Sequence, residues 1–126
     1  MDIQRLLNTD RFAADVGIRL VSAGNGEAVL ALDLEERHLN GNSVAQGGVI
    51  FTLADTAFAV AMNNPERDAV SLDCAITFLR PAPLGTLTAH AVTVSAGRRT
   101  CSVEVRVTDG QGRLVARMQG TGFVTN

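Results

Sequence analysis

Hydrophobic and polar positions follow two rhythms along this chain, and the change between them divides it. Residues 47–62, GGVIFTLADTAFAVAM, are apolar nearly all round, a run too long for one strand, with a single carboxylate, Asp55, at its centre. Such a run predicts a helix buried in a core. Asn63-Asn64-Pro65 supplies its stop, because proline cannot continue a helix. Beyond it the period falls to two. Val70, Leu72, Cys74, Ile76 and Phe78 alternate with Ser71, Asp73, Ala75, Thr77 and Leu79, predicting a long strand with one apolar face that Pro81-Ala82-Pro83-Leu84-Gly85 ends. Residues 87–96 form a second strand, and Cys101, Val103, Val105 and Val107 mark a third. Asp109-Gly110-Gln111-Gly112 turns the chain into a last strand over 113–124.

Ahead of the central helix, residues 2 to about 14 predict a short amphipathic helix with Ile3, Leu6, Leu7 and Phe12 on its apolar side. Residues 17–23 and 27–34 predict strands joined by the hairpin turn Gly24-Asn25-Gly26, and 35–46 a polar loop. This order of elements predicts one α+β domain over residues 1–126, a curved antiparallel sheet wrapped around one long helix. The sheet keeps open edges, which pairing between copies of the chain would protect.

Charge and composition remove several functions. A net charge of −2 with no basic block removes the electrostatic case for nucleic acid. All eleven cationic side chains are Arg, so Schiff-base lysine chemistry and a Walker-type phosphate loop are excluded. The apolar run is too short to span a bilayer and is interrupted by Asp55, and no basic-then-apolar leader opens the sequence, so the expected location is the cytoplasm. Cys74 and Cys101 are in phase with apolar neighbours and read as reduced core thiols. His38 and His90 are too far apart for a metal pattern, and no Gly-x-Ser-x-Gly elbow occurs. No metal or cofactor is expected.

The remaining chemistry centres on Asp55. A carboxylate in an apolar helix requires a reason, since burying an unpaired charge costs several kcal/mol or shifts its pKa. Gly47 and Gly48 open the same helix, where unshielded N–H groups attract a negatively charged or polarised oxygen. Chemistry at a carbonyl needs a base or nucleophile at the carbon and a donor at the oxygen. Gly47 and Asp55 lie eight residues apart on one helix, about 12 Å along its axis at 1.5 Å per residue, so one carbonyl cannot touch both. If both serve one reaction, they come from different subunits and the site lies at a dimer interface. The plainer alternatives are a narrow solvated stripe formed by Thr52, Asp55, Thr56, Ala59 and Asn63, and an ordinary turn at the glycine pair.

His38-Leu39-Asn40-Gly41, Gln46-Gly47-Gly48, residues 53–59 (LADTAFA) and Phe78-Leu79-Arg80-Pro81 together resemble the hot-dog-fold acyl-CoA thioesterases of the phenylacetate-degradation type, over nearly the whole chain. The resemblance implies hydrolysis of an acyl-CoA, often an aryl- or hydroxyaryl-acetyl thioester, by a homo-oligomer such as a homotetramer. It makes Asp55 the catalytic carboxylate and Gly47 the oxyanion donor, with Asn40 in the loop that sets the site. Gln46 stands where many relatives carry histidine. An amide can donate a hydrogen bond but cannot shuttle a proton, so no acid role passes to it. Gly48 and Thr56 are candidate substrate contacts. Arg80, Arg98 and Arg99, beside strand breaks, are candidate partners for coenzyme A phosphates or else solvated surface charges. Asn40 reads equally as a turn residue. The competing functions are a hot-dog hydratase or dehydratase, which favours a histidine that Gln46 replaces, and a non-catalytic acyl-CoA binding module.

Overall fold

The computed structural model describes residues 1–126. Two short helices, α1 (Ile3–Thr9) and α2 (Arg11–Val16), precede the hairpin β1 (Arg19–Gly24) and β2 (Glu27–Asp33). A 3-10 turn (Glu36–His38) leads to α3 (Gly47–Met62), followed by β3 (Ala69–Phe78), β4 (Thr86–Ala96), β5 (Thr100–Thr108) and β6 (Leu114–Val124). The six strands form one antiparallel sheet in the order β1-β2-β4-β5-β6-β3. The expected curved sheet around one long helix is what forms.

The core is the contact between α3 and the concave face of that sheet. Leu53, Ala57, Phe58 and Val60 from the helix meet Leu30, Leu87, Ala89, Val103, Val105 and Val115, all essentially inaccessible. Small residues set the separation. A Cβ at Gly120 would stand 2.6 Å from the Phe58 ring, so β6 needs glycine there to let the ring lie against the sheet.

Three expectations are corrected. The N-terminal helix is two helices, because Asp10 ends α1 and caps α2 by accepting from the Ala13 N–H at 3.0 Å. That break shifts the helical phase, and Phe12, expected on the apolar side, is 66 % exposed. In β3 the even-numbered apolar face does not persist. A bulge at Leu72, between the pairs Ser71–Gly122 and Asp73–Thr121, moves Val70 to the convex face opposite Phe123, while Cys74 and Ile76 keep to the concave side opposite Gly120 and Met118.

His38, expected in a polar loop, is buried. Its Nδ1 accepts from the Glu35 N–H at 2.9 Å and its Nε2 donates to the Val16 carbonyl at 2.7 Å, tying the end of α2 to the loop that leads into α3. Removing the ring strands both backbone groups. His38→Ala is expected to cost about 2–4 kcal/mol, seen as a lower urea midpoint at unchanged m value; an unshifted midpoint would mean that water replaces the ring without loss.

Candidate active site

Two loops meet at the N-terminus of α3. Leu39 and Ala45 form an isolated bridge, the Ala45 N–H donates to the Ala82 carbonyl at 2.7 Å, and the Gln46 N–H donates to the His38 carbonyl at 2.9 Å. On the other side, the Leu79 and Arg80 N–H groups both donate to the Val115 carbonyl. Between them lies a cavity of 330 Å³ lined by Asn40, Ala45, Gly47, Ile50, Phe78, Leu79, Arg80 and Pro81. Three residues singled out from sequence, Asn40, Gly47 and Arg80, therefore share one pocket.

Gly47 is the first residue of α3, where the N–H has no intrahelical partner. A Cβ there would lie 3.4 Å from the tip of the Phe78 ring, which fixes how closely the pocket wall approaches the helix end. Gln46 caps the helix, its Oε1 accepting from the Val49 N–H at 3.2 Å. A Cβ at Gly48 would stand 2.6 Å from that oxygen, so the second glycine is what lets the glutamine fold back. Asn40 is a turn residue: its Oδ1 accepts from the Asn42 N–H at 2.8 Å, and its amide nitrogen has no protein partner. It shapes the loop and lines the cavity at once.

Asp55 sits mid-helix, half-buried, with no hydrogen bond or ion pair. Burial pushes its carboxyl above the ordinary carboxylate range, and the Asp10 carboxylate of α2 pushes it further. Cys74 of β3 is close enough to feel it. Burial raises the thiol's pKa, and the charges of Asp55 and Asp73 add to the rise, which leaves the sulfur protonated and poorly nucleophilic. Both cysteines are free. Thr56 is buried and returns its hydroxyl to the Thr52 carbonyl at 2.7 Å, a bond within the helix. Thr52 and Ala59 flank Asp55 on the partly exposed stripe, while Asn63 is buried and donates to the Ala59 and Ala69 carbonyls.

Within one protomer these groups do not all converge. Asp55 is not on the Gly47 cavity, and Arg98 and Arg99 lie in the β4–β5 connection, where the Arg99 carbonyl accepts from Val124 at the opposite end of the sheet from Arg80. Asp10 and Phe78 were missed from the sequence. Asp10 belongs to a cap motif legible only once the helix break is known, and Phe78 reads as an ordinary strand residue. A larger cavity, 590 Å³, lies at the other end of α3 between the β1–β2 turn and residues 63–66 and holds none of the predicted site residues. No helix is long and apolar enough to cross a membrane.

The family model described as Thioesterase superfamily matches residues 42–116, more than half of the chain, and spans α3, β3, β4, β5 and the start of β6. The chain belongs to that superfamily. The acyl-coenzyme A thioesterase PaaI of Escherichia coli is 37 % identical over 116 residues, covering 91 % of this chain and 83 % of its own. A solved structure of E. coli PaaI, from the phenylacetic acid degradation operon, superposes with a TM-score of 0.95 at 34 % identity, covering 99 % and 91 % of the two chains. A Streptococcus mutans protein solved with acetyl CoA has a TM-score of 0.85 at 33 % identity over 87 % and 90 %. The sheet and its central helix are thus a hot-dog fold, and this member of the thioesterase superfamily is a thioester hydrolase.

Proposed function

We propose that this thioesterase hydrolyses acyl-CoA, of the aryl- or hydroxyaryl-acetyl type, at a site shared by two subunits of a cytoplasmic homo-oligomer, with each chain one domain that needs no cofactor. One observation carries the reading. A half-buried carboxyl without a partner and an open helix N-terminus on a cavity occupy the same helix, about 12 Å apart, so each lacks its complement within the protomer.

Pairing of β3 with a second β3 supplies the complement. This strand is a sheet edge ten residues long, with Leu72, Phe78 and Leu79 exposed along it or just beyond its end. Asp55 is level with Cys74, and Gly47 with Phe78. For Asp55 to reach the partner's Gly47, Cys74 must lie opposite the partner's Phe78, which puts the two-fold axis at Ile76. The same pairing brings the partner's Arg98 and Arg99 to the end of the sheet where Arg80 stands, so the three arginines can serve one nucleotide. Gly48 and Thr56 support this site from within α3, Gly48 by admitting the Gln46 cap.

In this site Asp55 either takes a proton from water as the water oxygen adds to the thioester carbon, or itself attacks that carbon. The partner's Gly47 N–H and the α3 dipole stabilise the oxyanion, and its collapse breaks the C–S bond and releases the CoA thiolate; where Asp55 is the nucleophile, water then cleaves the resulting acyl–Asp55 anhydride, releasing the acid and restoring the carboxylate. A hydratase is disfavoured because Gln46, whose oxygen is spent on the Val49 N–H, has no proton to exchange.

Release of free thiol from a panel of acyl-CoAs tests the activity. Mixed dimers test the sharing: a subunit carrying Asp55→Asn combined with one disabled at Gly47 should recover one working site per dimer, while each parent alone is inactive. No recovery on mixing would place both groups in one protomer's site and sink the shared-site reading.

A further inference from the structure

We propose that Phe78 is a specificity-determining residue whose ring closes one face of the bound thioester and confines the acyl group to chains with an unbranched methylene at the α-carbon. The inference rests on the shared site proposed above and concerns the substrate that this site admits. Beyond the bulge at Leu72, β3 alternates regularly, so Cys74, Ile76 and Phe78 all face the concave side, toward α3. Phe78 is 51 % exposed within the protomer, which leaves half of an aromatic ring open to the groove between subunits. Its orientation is defined. A carbon placed on Gly47 would lie 3.4 Å from Cζ and 3.6 and 3.8 Å from the two Cε atoms, so the ring points its tip at the helix end. The gap beside the Gly47 N–H is one carbon contact wide. A planar carbonyl fits edge-on in such a gap, and a tetrahedral branch standing out of the plane does not.

The β3 pairing extends this wall into a floor. With the two-fold axis at Ile76, Cys74 and the partner's Phe78 are a cross-strand pair on the concave face, their Cβ atoms about 4.5–5.5 Å apart. Asp55 and the partner's Gly47 stand on the two helices above that pair. A thioester whose oxygen meets the partner's Gly47 N–H therefore turns one face of its carbonyl to the floor. Attack on a carbonyl carbon comes nearly perpendicular to its plane, so Asp55, or the water it activates, serves the opposite face.

The consequence falls on the first carbon of the acyl chain. A methylene there carries one substituent, which can lie in the carbonyl plane and run on along the groove with only hydrogens above and below. Only one substituent of a tetrahedral carbon can lie in that plane, so a second stands to one face or the other. In one enantiomer it points toward Asp55 and obstructs the attack. In the other it points to the floor and meets the ring of the partner's Phe78. Both hands of an α-branched acyl-CoA are thus rejected, each by a different group, and the ring is responsible for one of them.

Thiol release from phenylacetyl-CoA and from the separate R and S forms of 2-phenylpropionyl-CoA tests this. The wild type should favour phenylacetyl-CoA over each enantiomer by about 10–200-fold in kcat/KM, the usual discrimination against one misplaced methyl group. Phe78→Ala should cut that preference to a few-fold for one enantiomer and leave it in place for the other. Phe78→Leu, which keeps apolar bulk at the strand end and removes the ring tip, should move the same enantiomer in the same direction by less. Each ratio compares substrates on one enzyme, so a general loss of activity in a variant cancels from it. Wild-type hydrolysis of either enantiomer as efficient as that of phenylacetyl-CoA overturns the proposal, as does a change in the variants that is absent or is shared equally by the two hands; in each case hydrolysis of the arylacetyl thioester itself stands. A wild type that releases no thiol from phenylacetyl-CoA overturns the substrate reading and this inference together.

Discussion

Asp55→Asn will lower turnover by at least about 100-fold in a protein that remains folded, because the amide keeps the shape of the carboxylate and loses the base. Its stability should move the other way. Burial and Asp10 raise the carboxyl, so the native chain holds this proton more tightly than the unfolded chain does. The stability linked to it is complete below the ordinary carboxylate range and is lost as pH rises through the elevated native value. At neutral pH the variant should therefore melt above the wild type, and the difference should close on acidification. The same elevation sets the acid limb of kcat/KM above the usual carboxylate range. Asp10→Asn, which can still cap α2, should move that limb to lower pH. If Asp55 is only a solvated helix residue, activity will survive the amide, and the reading falls.

The second large effect is expected from a substitution at the other half of the site. Gly47 is the first residue of α3, a position that accepts proline, and Gln46 before it already has the extended conformation (φ −66°, ψ 138°) that a following proline demands. Gly47→Pro removes one N–H and little else, so kcat should fall by about 10²–10³-fold, the usual loss of an oxyanion donor, while the denaturation midpoint stays near that of the wild type. Gly47→Ala is the control. It keeps the N–H and adds one carbon at 3.4 Å from the Phe78 ring, so its turnover should remain within a few-fold of wild type. Equal losses in both would assign the effect to crowding by Phe78 and remove Gly47 from the chemistry.

Much of this was legible from residue order because α3 is apolar almost all round and the later strands keep a strict period of two. Residue order alone sets the glycine pair and Asp55 on one helix, and their spacing reads directly as a length. Other features were hidden for physical reasons. Asp10 caps α2 while closing α1, and a cap inside an amphipathic stretch looks like one more polar position, so the periodicity of residues 2–14 puts Phe12 on the wrong side. The bulge at Leu72 leaves no mark in a strand whose every second residue is apolar. His38 is polar in composition and buried in fact, because two backbone groups far apart in sequence, the Glu35 N–H and the Val16 carbonyl, need its two nitrogens. Arg106 and Arg117 become neighbours only through the register of β5 on β6, which no local pattern fixes.

Asp10 has a further consequence. One carboxylate ends α1, opens α2 and adds its field to that of burial at Asp55. The order of the N-terminal segment and the basicity of the mid-helix carboxylate are thus joined through a single charge. Lifting α2 away would withdraw that charge and admit water together, and both changes make Asp55 a stronger acid and a weaker base. Docking of the N-terminal segment is in this sense a setting of proton affinity, and fraying of the first helices would be felt as a drift in the pH at which the enzyme switches on.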